Sequence, residues 1–452
     1  MVLIEFLYIP IILLLYWRTH KYNYLIDDPI PRDGYMYMIV GTDTDPCTKE
    51  EKLSWYDRKR SLLCTVTNVG VFMTVCSYIH YLWGWQAALL YAVFPLNVSG
   101  VAWGRTGNYY MTTTLLVLSA HMLIAQGAVG VLLSPFMYAA ALNSTLNGLP
   151  YVILAPLNTP LGWVMVAPFI LFIFGRRFNK GLIDRHKSNI KVGSLGAGGL
   201  HLLEVPRTLA YYICLSLWPS RLGFFHDCNH TSFWYSKKMT ALSCLCVVMF
   251  ILWGCMVDNY MTLWWIVMML LFSQWISLGQ YVSERYTFLA NVAFCVIMSK
   301  FLQFFVPMYT SMVMYTLLCT LWLYRTHLYI PMWKDDLVLF SISSLAFPRA
   351  PDNFNNVGSY YLRKGHPEKA VEALEMGFRL ARKNTWKNHA NLSGAYGALG
   401  AKYKHLGYFT QSLAHLDTAL MLVGEDKEGR ENLFKGRNGC IDCINKLKKE
   451  KK

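Results

Sequence analysis

Apolar residues come in long, nearly unbroken runs over most of this chain: Val2 to Trp17, then about 62–83, 85–103, 109–126, 128–157, 161–175, 208–222, 239–257, 260–280, 286–306 and 309–325. Most approach the roughly 20 residues that a helix needs to cross bilayer hydrocarbon. The run 128–157 contains Pro135, Asn143, Asn147, Gly148 and Pro150, which predicts either two short segments or one span with a re-entrant part. Irregular backbone at that depth needs cover from protein or a water-filled cavity. Counted as one crossing, it brings the expectation to about eleven transmembrane helices. Glu5 and the missing basic head in the first run predict a retained span and not a removable leader.

After Tyr324 the pattern becomes that of soluble helices. Gly358, Tyr361, Gly365 and Leu380 recur as Gly400, Tyr403, Gly407 and Leu422, each pair 42 positions apart. Small and aromatic residues at such spacings let paired helices nest, as in tetratricopeptide repeats, here stretched beyond their usual length of about 34. Two repeats are few for independent stability, so support is expected from the preceding segment or from a degenerate third unit around 425–447. The expected division is a transmembrane domain over 1–330, with a polar loop at 18–61, followed by a helical repeat domain over 331–452, the whole chain being all-α.

Composition agrees: 54% of the 452 residues are hydrophobic and 15% charged, against about 25% charged in soluble domains. The net charge of +15 does not read as a nucleic-acid surface, because no aromatic reading surface is interleaved with it. It reflects membrane orientation instead. The segment from Arg176 to Arg207 holds Arg176, Arg177, Lys180, Arg185, Lys187, Lys191 and Arg207 against Asp184 and Glu204, a cytoplasmic bias. The loop 18–61, the loop near Asp227, Ser283 to Tyr286 and the repeats then share the opposite face. Most of the 12 cysteines fall within apolar runs and behave as small hydrophobes. Cys440 and Cys443 form a lone CxxC without a second half.

Chemistry-bearing residues are sparse. Asp27 and Asp28 follow the first span, where ionisable groups are costly unless wet or working. They serve equally to cap and solvate the turn before Pro29, and spacing alone leaves both readings open. Asp43-Thr44-Asp45 reads as a turn before Pro46 in preference to a metal site, so no metal is expected.

Several stretches in order resemble the transmembrane O-mannosyltransferases that carry tetratricopeptide repeats, a branch of the GT-C glycosyltransferases. These are Asp27-Asp28; Ala87 to Pro95 running into Val101-Ala102-Trp103-Gly104-Arg105; Leu217-Trp218-Pro219; Ser283-Glu284-Arg285-Tyr286; and Trp333 to Asp336 with Leu339-Phe340. The resemblance implies transfer of a sugar, mannose in that family, from a polyprenyl-phosphate carrier to protein Ser or Thr hydroxyls on the luminal or extracytoplasmic side, with no cofactor. It implies membrane lipid, the lipid-linked donor and an acceptor protein as partners. The compartment would be the endoplasmic-reticulum membrane in a eukaryote or the inner or plasma membrane in a prokaryote.

In that reading Asp27 or Asp28 is the general base. Arg285, then Arg105, faces the leaving phosphate with Glu284 and Tyr286 beside it, because a guanidinium fork matches phosphate oxygens. His226 and Asp227 lie towards the acceptor. Arg285 could instead pair with Glu284 or snorkel at a helix start, and Arg105 could anchor a helix end. The rival function is a membrane scaffold without catalysis that presents its repeats to a partner.

Overall fold

A computed structural model describes residues 5–23, 25, 62–124, 126–144, 150–158, 160–168, 170, 202–226, 237–274, 282–381, 386–423 and 427–450. Among them the chain is helical and forms no β-strand. It divides into two compact units, one of Met1–Leu222 with His230–Asp335, the other of Gly223–Asn229 with Asp336–Lys452. The second unit thus starts at Asp336, later than the expected 331, and recruits a segment from within the apolar part of the chain.

The first unit begins with α1 (Tyr8–Tyr16) and a 3-10 turn, Trp17–Lys21. Helix α2 (Leu62–Trp83) ends at Gly84, whose φ of +96° suits a residue without Cβ, and the chain turns straight into α3 (Trp85–Val93). The run expected as one span over 85–103 is broken. Pro95 has no N–H to give the Tyr91 carbonyl, so the helix yields to a 3-10 turn, Pro95–Asn97, then to α4 (Val98–Ala102) and α5 (Gly104–Ile124). The two halves of the break are bent by 64°.

The interrupted run forms two segments, α6 (Ala128–Ser144) and α7 (Tyr151–Asn158). Helix α8 (Glu204–Leu217) follows, with Glu204 and Arg207 paired at 2.8 Å in its first turn. These two belong to the helix and not to the basic loop, and the Arg207 guanidinium also bonds Thr240. Next come α9 (Lys237–Val257), α10 (Asn259–Leu270), α11 (Phe288–Phe304) and α12 (Met308–Tyr329). Asp258 caps α10 by accepting from the Met261 N–H at 2.9 Å, and α10 stops well before the expected 280.

Among the described residues, two helices are long and apolar enough to cross a membrane, Leu62–Trp83 and Lys238–Val257, with a third if the bent pair Trp85–Val93 and Pro95–Ala102 is one span. Leu242, Leu245, Val248, Met249, Leu252 and Met256 stand exposed along α9, as do Met308, Tyr309, Met312, Val313 and Leu317 along α12. Inside, α3 from Ala87 to Val93 and α11 from Phe288 to Ile297 are buried on all sides, as helix segments apolar all round must be. Phe94 fills the space between Phe294 and Trp322, with ring centroids 5.7 and 4.5 Å away.

The second unit opens with α13 (Asp336–Ala346), which packs on the recruited segment: the Phe224 N–H donates to Ser343 at 3.0 Å and Phe225 stacks on Phe340. Two helical hairpins follow, α14 (Pro351–Arg363) with α15 (Pro367–Leu380) and α16 (Trp386–Tyr403) with α17 (Leu406–Leu422), then the long α18 (Lys427–Glu450). The sequence repeat has a packing reason. A Cβ on Gly358 would stand 2.4 Å from Leu374, and one on Gly400 would stand 2.8 Å from Phe409, so each glycine marks where the two helices of its hairpin approach closest. Helix α13 flanks the first hairpin through Arg363, which reaches the buried Asp336 at 2.6 Å. Helix α18 closes the second through Leu433 and Cys440, packed with Phe409 and Leu416.

Candidate functional site

Three stretches of irregular backbone meet in the first unit: the break at Pro95–Ala102, the 3-10 turn Glu284–Tyr286 and the 3-10 turn Ile330–Lys334. Each leaves carbonyls without helical partners, and side chains from elsewhere take them up. Asn97 donates to the Tyr91 carbonyl at 2.8 Å and Thr326 to the Val93 carbonyl at 2.7 Å. Asn68 of α2 donates to Val101 and Gly104 at 3.2 and 2.6 Å. Asn291 bridges Asn97 and Thr287 at 2.8 and 2.9 Å, fastening the break to the turn before α11.

The motif Ser283-Glu284-Arg285-Tyr286 is built on this frame. The Tyr212 hydroxyl of α8 donates to the Ser283 carbonyl and accepts from its N–H, at 3.3 and 3.0 Å. The buried Glu284 carboxylate accepts from the Tyr329 hydroxyl at 2.6 Å. Arg285 lies over three aromatic rings, with its guanidinium carbon 5.3 Å from the centre of Trp103, 5.5 Å from Tyr286 and 6.0 Å from Tyr110. Tyr286 in turn stacks on Phe272 at 4.4 Å, and Trp103 packs at a tilt against Trp333 at 5.7 Å. Such rings hold a guanidinium by cation–π attraction while its edge can still donate.

Arg285, Glu284 and Tyr286 therefore stand together. Arg105 lies at the start of α5, two positions after Trp103. Asp27, Asp28 and Asp227 lie outside the described residues. The chain leading to the acidic pair is tied down at Asn23, whose N–H donates to the Lys334 carbonyl at 2.8 Å, and Leu25 is buried. His226 belongs to the second unit, where it is buried against Phe347 at 4.3 Å. Among the described residues no three His, Cys, Asp or Glu side chains converge on a metal position.

Tyr329, Tyr110, Tyr212 and Asn68 escaped the sequence reading. Only Asn68 carried a local signal, as a lone amide within an apolar run, where polar groups are expensive. Compared with known proteins, the chain matches no family model, no curated protein and no solved structure.

Proposed function

We propose that this chain is a multi-pass membrane glycosyltransferase of the GT-C type. It moves a sugar, mannose by the resemblance, from a polyprenyl-phosphate carrier to protein Ser or Thr hydroxyls on the extracytoplasmic or luminal side. The observation that carries this reading is Arg285 held over Trp103, Tyr110 and Tyr286, beside the irregular backbone that joins the Lys334 turn to the chain leading into Asp27 and Asp28. A fixed guanidinium is what a departing phosphate needs. Aromatic faces suit a sugar or the first prenyl units.

Asp27 or Asp28 takes the proton of the acceptor hydroxyl as its oxygen bonds to the anomeric carbon. The bond from that carbon to the phosphate oxygen breaks, and the lipid phosphate leaves with the electron pair towards Arg285. Displacement in one step inverts the anomeric centre. Metal is not needed in this scheme.

The exposed apolar faces of α9 and α12 support a membrane setting, since soluble surfaces rarely keep apolar patches of that extent. About eleven spans follow if the shorter apolar helices and the interrupted run also cross. The nested hairpins of the second unit support a short tetratricopeptide-type solenoid that receives the acceptor protein.

Purified Asp27→Asn, Asp28→Asn and the double variant test the chemistry with a polyprenyl-phosphate sugar and an acceptor peptide. Loss of the base is expected to slow transfer about 100- to 10,000-fold with unchanged detergent stability. Wild-type turnover in all three well-folded variants would sink the reading and favour the scaffold.

A further inference from the structure

The second unit contains a pair of imidazoles that the proposed transfer does not use. His389 on α16 and His415 on α17 face each other across the second hairpin, with their Nδ1 atoms 3.1 Å apart and ring centroids 5.3 Å apart. Both rings are held. Phe378 of α15 meets His389 edge-on at 4.9 Å and His415 at 5.7 Å, and Tyr396 lies parallel to His415 at 5.8 Å. Tyr396 is itself oriented by donating to the Glu375 carboxylate, which also pairs with Arg379 at 2.9 Å.

We propose that His389 and His415 form a two-imidazole seat for a borderline divalent transition ion such as Zn2+ or Cu2+, clamping α16 to α17. Two nitrogens each about 2.0–2.1 Å from one zinc ion, at the tetrahedral angle, stand roughly 3.3–3.4 Å apart. The observed 3.1 Å is therefore within a small side-chain adjustment of ligation. Imidazole is the ligand such ions favour.

Without metal, one Nδ1–H donates to the other Nδ1. With metal, both Nδ1 lone pairs point at the ion and the displaced proton moves to Nε2 of its own ring, so each imidazole stays neutral and no net proton leaves. Both rings are partly exposed, which leaves room for water to complete the coordination. Glu375, tied to Tyr396 and Arg379, orients the neighbouring ring and is not counted as a ligand.

The test uses the full chain in detergent, freed of metal with a chelator and dialysed against Zn2+. Wild type is expected to bind one equivalent more tightly, by at least about tenfold, than His389→Phe or His415→Phe, whereas His20→Gln, at a half-buried histidine of the first unit, binds like wild type. Stoichiometric Cu2+ added to wild type should give a spin-echo modulation from two coordinated imidazoles, reduced to one or none in either variant. Equal Zn2+ binding by wild type and both variants overturns the proposal. So does a wild-type Cu2+ spectrum without two imidazoles, which decides the matter even if a variant fails to fold. Activity is not part of the readout, so this result is separable from that on Asp27 and Asp28.

Discussion

The Tyr329 hydroxyl donates to the Glu284 carboxylate at 2.6 Å, joining the end of α12 to the turn that carries Arg285. Both residues are buried. A hydrogen bond to a buried charge is worth about 1.5–3 kcal/mol. Tyr329→Phe is expected to lower detergent thermal stability by that order, while Tyr324→Phe, at an exposed tyrosine of the same helix, leaves it unchanged. A neutral Tyr329→Phe would show that Glu284 does not depend on this donor.

Asn68 supports the broken segment from a separate helix. Asn68→Leu removes the buried amide that donates to the Val101 and Gly104 carbonyls, and each such hydrogen bond is worth about 0.5–1.5 kcal/mol. We expect a lower unfolding midpoint and looser packing around Trp103, read as faster hydrogen exchange over α4 and the start of α5. Exchange matching wild type there would show that other groups hold the break.

Asp336 and Arg363 tie the leading helix of the second unit to its first hairpin. Removing one member of a buried pair costs roughly 3–5 kcal/mol because the other charge is stranded. Arg363 is partly exposed, which points to the lower end. Asp336→Asn is expected to raise hydrogen exchange in α13 and α14, and Asp336→Leu with Arg363→Met to recover part of the loss. If the double variant is worse than the single, the charge is not what matters.

Acid should loosen the second hairpin. Burial holds both His389 and His415 below the ordinary histidine range, and their mutual proximity lowers His415 further while Glu375 opposes it. The unfolded chain binds protons near pH 6.5 where the folded chain does not, so stability is complete above that pH and is lost as pH falls through it. Measured with a chelator present, melting of α16 and α17 should shift down between pH 7 and pH 5. The shift should flatten in His389→Phe with His415→Phe. An equal shift in that variant would assign the pH dependence to other groups.

The asparagine of Asn97-Val98-Ser99 is buried, and its amide nitrogen is engaged with the Tyr91 carbonyl. No glycan is expected on Asn97 in any compartment. Peptide mass mapping checks this, and an occupied site would require a different packing of the break.

What the sequence determined by itself was local. Long apolar runs specify helices, Pro150 stands just before α7 in the interrupted run while Pro135 is accommodated inside α6, and the Gly358 and Gly400 repeat marks two hairpins, because backbone propensity and close approach act over a few residues. The break at Pro95 was local too, yet the apolar character of 85–103 concealed it. Only tertiary packing decided who satisfies the carbonyls freed there, since Asn68 and Thr326 come from distant parts of the chain and Asn291 fixes the Asn97 amide from a third. The same holds for Glu284 with Tyr329, Arg285 with Trp103 and His389 with His415. A desolvated polar group takes whichever complementary partner the fold brings within about 3 Å, and separation along the chain carries no record of that choice.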